Sequence, residues 1–234
     1  MQIFTDDTLR FLRAMKRHND RDWFRARRDQ YEQHVRQPAI TFVEFMAARL
    51  PAFAPEIVAS PRASLYRVYR DTRFSADKSP LKTHIGLIFP WRGLPRHEGA
   101  GFYVEVATDR SLVAGGVYAP MPAGLRAVRE HIADHHDRLR AIVERRAFKA
   151  AFGGLQGDRL SRVPASFPRD HPAGDFLRFR QFLVWREYPA DFAVSPRFAA
   201  EVLRRCRQVA PLLRFLNEPF AGTRPPLACG PGSG

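Results

Sequence analysis

The stretch from Ser64 to Phe89 constrains the fold most, because strand-forming residues at both ends enclose a charged loop. Its first part alternates large apolar residues with arginine, and its last part, from Ile85 to Phe89, is mostly branched or aromatic. Both patterns are typical of β-strands. We therefore predict two antiparallel strands joined by a basic loop.

Arginine occurs on both faces of the first predicted strand. Alternate side chains of an extended segment point in opposite directions, so Arg67 shares a face with Leu65 and Arg70 shares the other with Val68. An arginine among apolar side chains requires a carboxylate partner, a bound anion or access to water. A bound anion is one of three explanations at this stage.

The lysines of the loop point towards the anion. The chain has 38 Lys and Arg residues, yet lysine occurs only at Lys16, Lys78, Lys82 and Lys149. Lysine supplies a compact charge and a titratable amine, which arginine does not. We predict an anion site for phosphate or carboxylate formed by Arg67, Arg70, Arg73, Lys78 and Lys82. The candidates for proton transfer at this site are Lys78, Lys82, His84 and Asp71.

Two other functions fit the same residues. The net charge of +14 and the aromatic residues near arginines favour a nucleic-acid-binding module, although the arginines are scattered along the chain. Alternatively, the loop is an ion-pair network with Asp71, Asp77 or Glu105 in a non-catalytic interaction protein. Glu105 is a candidate cross-strand partner for Arg67 or Arg70. The sequence identifies no cofactor, and it leaves open whether the protein is an enzyme.

Length and composition indicate one domain. A chain of 234 residues with 45% hydrophobic content can build one sizeable core. We predict a single α+β domain over residues 1–220 and a disordered, Gly/Pro-rich tail over 221–234. No secretory signal, disulfide framework or bilayer-spanning apolar run is present, so we expect a cytoplasmic protein that does not insert into membranes.

Hydrophobic periodicity predicts the order of the elements. Helices are expected first, followed by an antiparallel meander of four strands that begins with Ser64–Arg70. A long central helix and a C-terminal helix come later, with a further strand between them. The predicted helices span Phe4–Arg17, about 20–36, 38–50, Pro122–Phe148 and Pro196–Leu216; the later strands span about 85–89, Gly101–Ala107, Ser111–Ala119 and Phe179–Glu187. Leu155–Val163 is a candidate short strand.

Histidines in the predicted central helix raise the question of a metal site. His131 and His135 are four residues apart, a spacing that can bind a metal, and His136 follows. The segment reads HIADH and lacks the glutamate of the HExxH motif. We therefore predict exposed histidines and no metal site.

Several motifs resemble one known family. The segments are NDRDWF (Asn19 to Phe24), SLYRVYRDTRFSADKSPLKTHIG (Ser64 to Gly86), GFYVEV (Gly101 to Val106), AGGVYAP (Ala114 to Pro120), DHPA (Asp170 to Ala173) and APLLRFL (Ala210 to Leu216). Together they resemble the bacterial and fungal family called domain of unknown function 2461, over roughly residues 3–217. The longest motif matches at Arg67, Arg70, Asp71, Arg73, Phe74, Asp77, Lys78, Pro80, Lys82 and His84. The resemblance implies neither an activity nor assigned site residues.

Overall fold

One four-stranded antiparallel sheet organises the fold. The computed structural model describes residues 1–73 and 75–221. The strands are β1 (Ile85–Phe89), β2 (Gly101–Val106), β3 (Arg110–Val117) and β4 (Phe182–Pro189), and they lie side by side in this order. This arrangement is a meander, and with the surrounding helices it confirms the predicted α+β class. Of the predicted tail, only Ala221 lies within the described residues. Phe74, which belongs to the longest motif, lies outside them.

The first predicted strand is not one of the four. Leu65 to Arg70 runs along the edge of β1 and is joined to residues 81–87 by isolated bridges at Leu65 and Tyr69. Leu65 and Tyr69 are four positions apart, whereas their partners Leu87 and Leu81 are six positions apart, so the two extra residues on the partner side shift the register and interrupt continuous pairing. The fourth strand is the one predicted near Phe179–Glu187, at the opposite edge of the sheet. Residues 155–163 form two isolated bridges, from Gln156 to Leu183 of β4 and from Arg159 to Phe179, which precedes β4.

The N-terminal helices are shorter than predicted and are interrupted by a π-helical turn. They are α1 (Asp6–Arg17), α2 (Arg21–Arg25), α3 (Arg28–Tyr31), the π turn Glu32–Arg36, α4 (Gln37–Ala47) and α5 (Pro61–Ser64). The turn has a physical cause in Pro38, which lacks the N–H that an α-helix would bond to the carbonyl of residue 34. The N–H of Gln37 instead bonds to the carbonyl of Glu32.

The predicted long central helix is three helices. These are α6 (Pro122–Asp134), α7 (His136–Val143) and α8 (Arg146–Phe152). The first break falls at His135, within a run of aspartate and histidine residues that have low helix propensity. The remaining helices are α9 (Gly174–Leu177) and α10 (Phe198–Asn217), which matches the predicted C-terminal helix.

Helix α10 covers one face of the sheet, and glycines permit this close packing. A Cβ atom at Gly115 of β3 would lie 2.6 Å from Val209 of α10. Gly116 has φ +130°, and a Cβ there would lie 2.0 Å from the carbonyl oxygen of Phe182 on β4. Both glycines therefore lie where a side chain would collide with a neighbouring element. No helix in the described part of the chain is long and apolar enough to cross a bilayer.

Candidate anion-binding site

A groove of about 560 Å³ lies between the N-terminal helices and the segment 65–70. Buried apolar side chains form its floor, namely Leu12, Met15, Phe24, Val35, Ala39 and Ile85. Tyr66, Arg67 and Tyr69 line the opposite wall, where Lys82 and His84 also contribute. Small-molecule sites have volumes of about 300–1,000 Å³, so the groove is large enough for a small ligand.

Backbone pairing holds the wall of the groove in place. The Lys82 N–H donates to the Val68 carbonyl at 2.8 Å, and the Arg70 N–H donates to the Pro80 carbonyl at 2.9 Å. The side-chain amide of Asn19, just after α1, receives the Leu81 N–H at 2.9 Å and donates to the Leu81 carbonyl at 3.0 Å. We call this pair of bonds the Asn19 bracket. It fastens the residue next to Lys82 to the N-terminal helices.

Positive charge is concentrated along the groove. Five arginine or lysine side chains line it, against one acid, Glu32. The basic residues are Arg28, Arg36, Arg62, Arg67 and Lys82. Arg36 pairs with Glu32 at 3.1 Å. Within residues 1–73 and 75–221, the other four have no carboxylate within 4.0 Å. The described residues therefore give these four cations no ion-pair partner, although the charge of Asp71 acts on Arg67 from beyond 4.0 Å.

Lys82 lies near two arginines, Arg67 and Arg96. Its Nζ is 4.5 Å from the centre of the Tyr66 ring, and the Arg96 guanidinium is 4.4 Å from the same ring. Burial lowers the pKa of Lys82, and the charges of Arg67 and Arg96 lower it further. Contact with an aromatic face compensates a cation only in part, so an anion beside Lys82 would be stabilised.

His84 connects the groove to polar residues of β2. Its Nε2 lies 3.9 Å from Glu105 Oε2, which also accepts a hydrogen bond from the Tyr103 hydroxyl at 2.8 Å. Burial lowers the pKa of His84, and the charges of Lys82 and Arg110 lower it further although Glu105 opposes them. His84 is therefore largely neutral at pH 7 and can accept a proton.

The predicted partners of Glu105 were wrong. Its carboxylate lies 3.5 Å from Arg110, at the start of β3, and near His84. Arg67 and Arg70 lie on the segment outside β1, so neither directly faces Glu105 on β2.

Two predicted anion-binding arginines are paired with loop carboxylates. Arg70 forms an ion pair with Asp77, and the hydrogen bonds that Asp77 receives from Ser79 and Arg70 hold its pKa well below the usual range. Arg73 donates two hydrogen bonds to Asp71, at 3.0 and 2.7 Å, and lowers the pKa of Asp71 to about 2. The ion pairs of the alternative prediction are thus present, and both carboxylates are exposed.

The two lysines of the loop have different surroundings. Lys78 is exposed, and its Nζ donates to the Thr72 carbonyl at 3.0 Å. It does not line the groove, whereas Lys82 does. Of the predicted site residues, the structure brings Arg67, Lys82 and His84 together and leaves Arg70, Asp71, Arg73 and Lys78 on the adjoining loop.

Sequence reasoning missed the contribution of the helices to the groove. None of Arg28, Arg36 and Arg62 was identified as a candidate from the sequence. Arg28, Glu32 and Arg36 recur at intervals of four residues, a helical spacing that places them on one side. That spacing was the available signal, but it does not reveal that a wall from residues 65–69 lies opposite. π turns occur frequently at functional sites, and this one lines the groove.

The histidines of the central helices do not form a metal cluster. Among the described residues, no group of three or more His, Cys, Asp or Glu side chains has suitable geometry for a metal ion. His131 is half-buried rather than exposed, and its Nε2 lies 3.1 Å from Glu218.

Comparisons with known proteins found one family. The model of a family described as a conserved hypothetical protein, DUF2461, matches residues 7–215. No curated protein matches the chain. No solved structure matches it either.

Proposed function

The chain belongs to the DUF2461 family, and we propose that it binds a small anion, a phosphate or a carboxylate, in the groove. The observation that carries the proposal is the charge of the lining, five basic side chains against one acid. Like charges in one partly buried site repel one another, and a bound anion removes that cost.

The basic residues would bind the anion in different ways, according to their side-chain chemistry. Arg67, Arg28 and Arg62 present forked donors that match the oxygen pairs of phosphate or carboxylate. Lys82 would add a point charge at the inner end. Arg36 is already paired with Glu32 and would contribute less. Arg70 and Arg73, which the sequence suggested for this role, are engaged by carboxylates of the loop.

If the bound anion also reacts, His84 is the proton-transfer residue that we propose. It lines the groove, it is largely neutral at pH 7, and Glu105 lies behind its Nε2. A neutral imidazole can take a proton, and a carboxylate behind it stabilises the resulting cation. Asp71 is less suitable, because its hydrogen bonds from Arg73 keep it ionised and occupied.

Thermal stability in the presence of anions tests the proposal. We expect ribose 5-phosphate or inorganic phosphate to raise the melting temperature. A ligand at a hundred times its dissociation constant adds about 2.7 kcal/mol to the free energy of unfolding. Lys82→Ala should abolish most of the shift. Lys78→Ala is the matched control, because the same residue type four positions away lies outside the groove, and it should retain the shift.

Two results would contradict the proposal. One is the absence of a shift with phosphate, sugar phosphate and small carboxylates alike. The other is an equal shift in the Lys82 and Lys78 variants, since binding would then depend on the general charge of the loop.

A further inference from the structure

One aromatic ring on the wall of the groove is exposed. Tyr69 is 41% exposed and is one of the few large apolar side chains of the described chain that face solvent to this degree. It lines the groove, and Phe24 packs against it at 5.9 Å in an edge-to-face arrangement. Exposure of a ring beside a groove suggests a surface on which a flat ligand can stack.

The other tyrosines of the groove are already covered. The Tyr66 ring has Lys82 and Arg96 against it, and Tyr31 packs against Phe24 at 5.0 Å. Burial raises the pKa of Tyr31 to about 12. Tyr69 therefore differs from its neighbours in offering ring surface to a ligand.

Arg67 and Tyr69 form a pair along the same segment. Both are exposed, while Val68 and Arg70 are half-buried, as the alternation of an extended backbone requires. Two residues of extended chain separate their Cα atoms by about 7 Å. The Val68 and Arg70 backbone groups are hydrogen-bonded to residues 80–82, so the pair is presented on an anchored segment.

Resting on the proposed function, we propose that the ligand of the groove is a nucleotide. Its base would stack on Tyr69, and its phosphate would bind Arg67 together with Lys82 and Arg28. In a nucleotide, one sugar separates the base from the phosphate. This separation matches that between an aromatic residue and an arginine two positions apart on an extended segment. Stacking on aromatic side chains combined with a basic groove is a general mode of nucleotide recognition.

The ring and the phosphate can be tested separately by calorimetric titration. The probes are AMP, ribose 5-phosphate, which lacks the base, and adenosine, which lacks the phosphate. We expect AMP to bind about tenfold more tightly than ribose 5-phosphate, the usual contribution of one stacked base. Tyr69→Ala should remove that difference and leave the affinity for ribose 5-phosphate unchanged.

Two further variants separate stacking from other effects. Tyr69→Phe keeps the ring and should keep the preference for AMP. Tyr118→Ala removes another exposed tyrosine, 72% exposed and outside the groove lining, and should have no effect. Circular dichroism of each variant checks that the fold is retained.

A short single-stranded oligonucleotide and its abasic counterpart test whether the groove binds a free nucleotide or a nucleic-acid strand. Binding of AMP with no gain from the oligonucleotide would support a free nucleotide. Tighter binding of the oligonucleotide than of its abasic counterpart, lost in Tyr69→Ala, would support a strand. Equal binding of the abasic strand would overturn base recognition.

The inference and the proposed function fail in different ways. Equal affinities for AMP and ribose 5-phosphate would overturn the nucleotide and leave the anion site intact. The absence of binding by every phosphate probe and by small carboxylates would overturn both.

Discussion

Lys82 is the residue whose charge the groove controls most directly. Burial lowers its pKa from the ordinary value of 10.5, so it loses its proton at a lower pH than an exposed lysine. A bound anion favours the protonated amine. We therefore expect affinity for sulfate, whose charge is constant in this range, to fall as the pH rises through the lowered pKa of Lys82. Calorimetric titration between about pH 7 and 10 measures this slope.

Lys82→Ala should weaken sulfate binding and remove the decrease in affinity with pH that the titration of Lys82 causes. Lys78→Ala should preserve it. The role given to Lys82 would be contradicted if the affinity of the wild type for sulfate stayed constant up to the pH at which arginines lose their protons.

Asp71, in contrast to Lys82, is already paired with an opposite charge, that of Arg73. The sequence suggested Asp71 as a member of a structural ion-pair network. In the structure both Asp71 and Arg73 are exposed, and exposed pairs contribute little. We expect Asp71→Asn to leave the melting temperature unchanged, which differential scanning calorimetry can check. A large decrease would restore the structural role of this pair.

The site could be predicted from sequence only in part. Arg67 was identified because it interrupts an apolar segment, Lys82 because lysine is scarce in this chain, and His84 because it can transfer a proton. The pairing of Arg70 with Asp77 depends on the shape of the loop, and pattern reading cannot distinguish a paired arginine from an unpaired one. Arg28 comes from a helix nearly forty residues earlier, and only tertiary contact such as the Asn19 bracket brings it to the site.

At the scale of elements, the glycines of β3 decide how closely the sheet is packed. Gly116 combines φ +130° with a contact to the Phe182 carbonyl that excludes a Cβ. Gly116→Ala should therefore reduce the free energy of unfolding by about 2 kcal/mol or more. Chemical denaturation measures the change.

Gly124 is the matched control for Gly116. It lies in α6, and the nearest atom to its added Cβ would be 3.7 Å away. Gly124→Ala should stabilise the protein by about 0.5–1 kcal/mol, because alanine is the better helix former. Two glycine-to-alanine changes of opposite sign would confirm the difference in packing, whereas equal destabilisation would contradict it.

The alternation of β2 and β3 made their strands predictable, because one face is buried by α10 and the other is not. The extended segment 65–70 shows the same alternation without becoming a strand. Its pairing partner has two extra residues between Leu81 and Leu87, and the alternation of residue types does not reveal this shift of register. The π turn could not be predicted from the sequence either, because a proline at position 38 is compatible both with the start of a new helix and with a π turn in a continuing one.

At the scale of the whole molecule, a network on α10 joins the C-terminal helix to β4. Glu201 accepts hydrogen bonds from the Tyr188 hydroxyl at 2.6 Å and from Arg205 Nε at 2.8 Å. Burial alone would raise the pKa of Glu201. Hydrogen bonds from Arg204 and Tyr188 and the charge of Arg205 outweigh it and lower this pKa to about 2.

Glu201→Gln should destabilise the protein at pH 7 by about 3 kcal/mol, because the largely buried Arg205 loses its counter-charge. A carboxylate with a lowered pKa stabilises the fold above its ordinary pKa of 4.5, and the contribution is lost as the pH falls towards 2. The wild type and the variant should therefore converge in that interval. Denaturation curves at several pH values measure it.

Glu144→Gln is the control for Glu201→Gln. Glu144 lies 3.5 Å from Arg140, and both side chains are more than 40% exposed. This variant should change stability by less than about 1 kcal/mol at any pH. A constant gap between wild type and Glu201→Gln down to pH 2 would contradict the assigned pKa.

The four groove cations that have no ion pair among residues 1–73 and 75–221 also affect how fast a ligand arrives. An arginine that faces a carboxylate contributes little to the field beyond a few ångströms, whereas Arg28, Arg62, Arg67 and Lys82 act together on the surrounding solution. Such a field gathers anions before contact and speeds their encounter with the protein. Added salt screens it over about 10 Å at 0.1 M. Association rates should therefore decrease with ionic strength more steeply than dissociation rates increase, and the groove would act as an electrostatic funnel as well as a receptor.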